Sequence, residues 1–175
     1  ALYAMFYSYA DASETAGVPA DLFDNILVSQ QGIPFVAQFT TGRSSTTLHS
    51  DSNVFWTGGT VVGRVRRNAT TVPLDFETVA EFGDSLDDQS GESGNEDHSA
   101  LLDPQFTPDY TPTSTFVDAF GTDVGVAEDI DGQDRTALTP VDPGAVAFIA
   151  TTASPLAGTY SVGTPSSDFP TLTDA

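Results

Sequence analysis

The sequence predicts an all-β domain, a two-sheet sandwich or barrel of about eight strands with one short helix and long acidic loops. Three observations predict it. Segments with a side-chain period of two recur from Ile33 to Val162, turn chemistry stands between nearly every pair of them, and only the segment after Pro19 carries helical spacing. A chain of 175 residues suits one domain with a sizeable core.

The elements follow in order. Residues 1–10 are aromatic, with Tyr3, Phe6, Tyr7 and Tyr9, and read as a strand or as an arm that docks on a neighbour. Pro19 opens the expected helix, in which Leu22, Phe23, Ile26 and Leu27 share a face and Gly32 and Pro34 mark the end. Ile33, Phe35, Ala37 and Phe39 then alternate as a strand. Asn53 to Thr57 is the next strand, and Gly58-Gly59 reads as a hairpin turn into a return strand from Thr60 to Asn68. Val72 to Phe82 alternates throughout and reads as a half-buried strand. Residues 83–113 form an excursion, first an acidic flexible loop to Ser99, then a Pro-rich segment with Pro104, Pro108 and Pro112. Short strands are expected at Ser114 to Phe120, Ala145 to Thr152 and Gly158 to Val162, followed by an extended tail over 163–175. No internal repeat is evident.

Charge is distributed unevenly. The formal net charge is -20, with 25 acids, five cations that are all Arg, and no Lys or Cys. Arg43, Arg64, Arg66 and Arg67 fall in residues 25–74 against Asp51 alone, whereas twenty acids face only Arg135 over residues 75–175. Such self-repulsion is relieved in molar salt, where the Debye length shrinks to about 3 Å, so a halophilic origin is expected. The same balance argues against nucleic acid, which needs a basic footprint. No apolar run is long enough to span a membrane, and the first ten residues lack the basic region of a signal peptide.

No catalytic signature stands out. The two histidines, His49 and His98, lie in polar segments without a nucleophile motif and read as solvated turn residues, so no enzyme is expected. The candidate metal ligands are Asp129, Asp131 and Asp134, whose spacing resembles part of a calcium loop; Gly132 falls one place early for an EF-hand, and no closing Glu follows. Ca²⁺ or bound salt cations are the only cofactors considered. Arg64, Arg66 and Arg67 form an ion-pair ladder, either to a neighbouring subunit or to this chain's own Asp75, Glu77 or Glu81 across a hairpin. Asn68-Ala69-Thr70 is a glycosylation sequon if the chain is exported.

The strand pattern from Ile33 to Phe82 and from Ala145 to Val162, joined to the acidic, Lys-free composition, resembles a single jelly-roll capsid protein of a haloarchaeal icosahedral virus. That resemblance implies a non-enzymatic structural protein in the virion, whose partners are itself and other virion proteins. A decoration or vertex protein on such a shell, and an exported cell-surface binding module of a haloarchaeon, are the alternatives.

Overall fold

The computed structural model describes residues 3–8, 20–39, 48–66, 72–137 and 141–150. The described chain is strand-rich with one α-helix, and the strands are wound into a coil. One turn of the coil is β2 (Ala20–Phe23), β3 (Ile26–Ser29) and β4 (Ile33–Gln38); the next is β5 (Leu48–Asp51), β6 (Val54–Thr57) and β7 (Gly63–Arg66). Each strand pairs in parallel with its counterpart one turn on: Ala20 with Leu48, Ile26 with Val54 and Phe35 with Gly63. Three sheets result, in the orders β1-β4-β7-β8, β2-β5 and β3-β6-β9, where β1 is Tyr3–Ser8, β8 is Leu74–Phe76 and β9 is Ala100–Leu101. This is the topology of a parallel β-solenoid, in which each turn contacts its neighbours.

The coil corrects the jelly-roll expectation. A jelly roll pairs its strands antiparallel, whereas five of the six described ladders are parallel and only β7–β8 is antiparallel. The physical reason lies in the corners. Asp24-Asn25 and Ser52-Asn53 each turn the chain into the next sheet instead of back along the same one, so the chain meets itself again only after a full circuit, running in the same direction.

Other expectations change with it. The helix expected from Pro19 is β2, a corner and β3: Leu22 and Leu27 point into the core, and Asp24, with φ of 57°, breaks any helix between them. The expected Gly58-Gly59 hairpin is absent, because β6 and β7 lie in different sheets. The long strand from Val72 to Phe82 stops at Phe76, and α1 (Val79–Ser90) begins. Thr78 caps it, its hydroxyl oxygen accepting the Glu81 N–H while the hydroxyl donates to the Glu81 carboxylate, and Val79, Phe82 and Leu86 form the apolar face. Much of the expected acidic flexible loop is therefore helix, and Asn95 and Glu96 beyond it are buried. Residues 114–120 form turns, and residues 145–150 run without a ladder. The strand at Gly158 to Val162 and the tail over 163–175 lie outside the described residues.

Phe35, Ala37, Phe39, Leu48, Phe55 and Val65 fill the coil, and α1 closes its end by inserting Phe82 and Leu86. The Phe82 ring meets Phe35 edge-on at 5.3 Å and Phe55 at 6.2 Å. Gly63 makes this approach feasible, since a Cβ there would lie 2.4 Å from the ring. Beyond β9 the chain crosses the outside of the β3-β6-β9 sheet, where Val117, Phe148 and Ala150 form a second core on Val54. No helix among the described residues is long and apolar enough to cross a membrane.

Removing the Phe82 ring empties the closed end of the coil, so Phe82→Ala is expected to cost about 3–5 kcal/mol. Gly63→Ala, which overpacks the same contact, should cost about 1–3 kcal/mol. Chemical denaturation in molar NaCl checks both, and wild-type midpoints would show that α1 is not part of the core.

Candidate binding cleft

The corners are built from a repeated pair, a left-handed residue followed by Asn. Asp24 and Ser52 have φ of 57° and 56°. Asn25 and Asn53, one turn apart, stack: the Asn53 Oδ1 accepts both the backbone N–H and the side-chain amide of Asn25 at 3.0 Å. Asn53 in turn donates to the Leu22 carbonyl at 3.0 Å and to Glu96 at 3.1 Å. Ser99 takes the third place, its Oγ accepting the Asn53 N–H at 2.8 Å. Glu96 closes the ladder with its carboxylate accepting from Ser50 and Ser99 hydroxyls, both at 2.5 Å. Burial pushes its pKa up, and the bonds from Ser50, Ser99 and Asn53 pull partly against that.

Against these corners lies a segment with little regular structure. Its backbone is held by carboxylates doing what a neighbouring strand would do elsewhere. Asp142 accepts the N–H groups of Ala119 and Phe148, both at 2.8 Å. Asp118 accepts that of Ala150 at 2.9 Å, and Asp24 that of Thr122 at 2.8 Å. Asp129 accepts from Asp131 and Gln133 at 2.8 Å and from Ala147 at 3.0 Å. Arg135, itself buried, donates to the Gly144 carbonyl at 3.0 Å and to the Asp142 carbonyl. Burial raises the pKa of Asp24 and Asp142, while N–H bonds, chiefly from Gln133, lower that of Asp129.

Between the coil corner and this segment opens a cleft of about 1,080 Å³, walled by Phe23 to Leu27, residues 109–112 and residues 143–146. Its rim is apolar and bare: Tyr110 is 78% exposed and Ile130 75%, with Val124 and Val126 beside them. The acidic residues Asp24, Asp109, Glu128, Asp129 and Asp131 also line it, with Arg135 the single cation in its lining. An apolar cleft with a few convergent polar groups is the usual form of a small-ligand site.

The residues singled out in the sequence fall elsewhere or into other roles. Arg64 grips Asp75 with two bonds, Nε to Oδ1 at 2.5 Å and Nη2 to Oδ2 at 2.7 Å, across the β7–β8 ladder, the within-chain one of the two pairings considered for it. Arg66 follows two residues on, its carbonyl accepting the Phe39 N–H at 2.7 Å. Arg67 and Asn68 lie outside the described residues. Asp129 organises a turn, and Glu128 bridges to Asp134; among the described residues no three His, Asp or Glu side chains are grouped to hold a metal. His49 and His98 are exposed, yet each is held by a carboxylate: His49 Nδ1 sits 3.0 Å from Asp21, and His98 Nδ1 sits 2.7 Å from Asp51, whose bond raises the His98 pKa. Asp24, Glu96, Tyr110, Arg135 and Asp142 were not foreseen; the one available signal was Asn25 and Asn53 preceding the similar runs Ile-Leu-Val-Ser and Val-Phe-Trp-Thr.

The chain matches no protein-family model, no curated protein and no solved structure.

Two outcomes are expected. Arg135→Ala strips two carbonyls and three neighbouring carboxylates of their cation, at a cost of about 3–5 kcal/mol; hydrogen exchange should then quicken over 119–137 and 141–148 while β3 and β6 stay protected. For Glu96, a folded-state pKa above the unfolded one means that the folded protein binds the proton more tightly. Its contribution is full below the ordinary Glu range and is lost as pH rises through the folded value. Glu96→Gln, which keeps the neutral form, should flatten the fall of melting temperature over that window, and an unchanged slope would refute the linkage.

Proposed function

We propose that this chain is a non-enzymatic binding module: a β-solenoid that presents a lateral cleft to a ligand, displayed at the surface of a halophilic cell or virus particle. The cleft carries the reading. Tyr110, Ile130, Val124 and Val126 are all exposed and line it, and exposed apolar side chains grouped on one cleft suit the capture of a ligand. Binding rather than turnover is favoured because neither histidine lines the cleft and both are turned to carboxylates elsewhere. The net charge of -20 without lysine supports a high-salt exterior.

A second reading, subunit or decoration protein of a haloarchaeal virus shell, draws on a different observation. Among the described residues β2 and β3 pair on one side only, and such edges are where a neighbouring copy adds strands. With the coil in place of a jelly roll, this reading rests on those edges rather than on the fold.

Light scattering in molar NaCl, combined with an NMR fragment screen on the same sample, separates the two. The binding module is expected to stay monomeric and to show fragment-induced shifts at Tyr110, Val124 and Ile130. Discrete oligomers or shells, with those resonances unmoved by every fragment, would overturn it in favour of the shell.

A further inference from the structure

We infer that residues 91–99 are a pH-operated latch over the outer edge of β5, held shut by two crossed histidine–carboxylate pairs while the histidines carry their protons. The latch lies away from the cleft and does not depend on the binding-module reading. Two observations carry it: what covers the edge, and which side chains fasten the cover.

Among the described residues β5 pairs with β2 alone, on one side. On its other side lie residues 91–99, which run from the end of α1 to β9. Ser50 turns both of its backbone groups to that segment: its carbonyl accepts the Glu96 N–H at 2.6 Å, and its N–H donates to the Asn95 Oδ1 at 2.8 Å. The segment is tied to α1 as well, since Asp87 accepts the N–H groups of Gly94 and Asn95 at 3.0 and 3.1 Å. A bare strand edge invites pairing with other chains, so whatever holds this cover down guards the edge.

Two ion pairs flank Ser50. Along β5 Leu48 and Ser50 are buried, so His49 and Asp51 project from the opposite face. His49 Nδ1 lies 3.0 Å from Asp21 of β2, and its Nε2 lies 3.6 Å from Glu92 of the segment. His98 of the segment sets its Nδ1 2.7 Å from Asp51 Oδ2, and its N–H donates to Asp51 Oδ1 at 2.7 Å. The polarity is crossed: the strand supplies the cation of one pair and the acid of the other. A seating that brought His49 to His98, or Asp51 to Glu92, would set like charges together, so the two pairs select one alignment.

Protonation decides whether the pairs attract. Neutral imidazole has one N–H and the imidazolium two, so the charged His49 ring alone can donate to Asp21 and Glu92 at once. The hydrogen bond to Asp51, then the charges of Asp51 and Asp97, raise the His98 pKa. A folded value above the unfolded one makes that pair's contribution full below the ordinary His value of about 6.5, and lost as pH rises through the folded value. The other charged groups at this edge are acids: Glu96, bonded to the Ser50 hydroxyl, and Asp87 at the end of α1. Direct contacts of 2.7 and 3.0 Å do not exceed the Debye length of about 3 Å in molar salt, so the response persists there.

The test is amide hydrogen exchange of the full chain in molar NaCl, from about pH 5.5 to about pH 8.5, which spans the His range. Protection of the Ser50, Glu96 and His98 amides, corrected for intrinsic rates, should fall about threefold to tenfold across it, the scale of exposed ion pairs. The Val54 amide, bonded to Asn25 inside the coil, should keep its protection. His49→Gln combined with His98→Gln changes two exposed side chains and should give low protection at the three amides at every pH. Glu96→Gln alone should retain the step. Flat protection in the wild type would overturn the latch. A step undiminished in the double variant, or one abolished by Glu96→Gln, would overturn it equally and place the response on Glu96.

Discussion

Everything in the coil depends on the stacking of Asn25 on Asn53. A two-residue corner exposes backbone groups that no strand can satisfy, and each Asn side chain answers them from within the stack. The side-chain period of a strand is two, so a slip of one residue would turn Leu22, Leu27 and Phe55 outward. Sheets of this kind have no hairpin to fix their register. The Asn pair does so instead, because only one alignment lets Oδ1 of one turn meet the amide of the other. A buried polar stack is tolerable since its members are bonded to one another and to the backbone.

The third turn departs from this pattern. α1 occupies the end of the coil, β9 adds just two residues to β6, and the place of a third Asn is taken by Ser99. Serine is too short to span the gap alone, and Glu96 supplies the missing reach. A carboxylate in that position is costly to ionise, which ties the end of the ladder to pH. The acidity of the remaining segment acquires a similar structural meaning. Asp118, Asp129 and Asp142 take backbone N–H groups that have no sheet to join, and the short Asp side chain suits that task. The excess of Asp over Glu in the sequence therefore reflects turn-building as well as surface charge.

Legibility follows the range of the interactions. β4, β6 and β7 fell within expected strands, and Asp75 was among the partners considered for Arg64, because alternation and short loops are local signals. The coil was not anticipated, because its repeat retains one identical residue in the corners, Asn25 and Asn53, while Leu22 and Phe23 on one turn stand where Ser50 and Asp51 stand on the next. Leu22, Phe23, Ile26 and Leu27 satisfy helical spacing equally well, and only the corner at Asp24 decides against it. In the stretch after Val72, the even-numbered apolar residues masked the helical set of Val79, Phe82 and Leu86. The cleft was illegible for a different reason: it joins Asp24 to Tyr110 and Arg135 across most of the chain, and nothing local announces that meeting.

Asp24 is where the two halves of the molecule become one. Its left-handed backbone makes the coil corner, its carbonyl and Oδ1 anchor Gly144 and Thr122 of the outer segment, and its remaining oxygen is buried between the two. A solenoid transmits little along its length, since each turn touches only its neighbours. The outer segment can thus vary in loop and rim without disturbing Phe35, Phe55 or Phe82, provided that the anchors persist. The division of labour is physical: apolar stacking and Asn pairing make a stiff coil, and carboxylate-to-backbone bonds hang an irregular layer upon it.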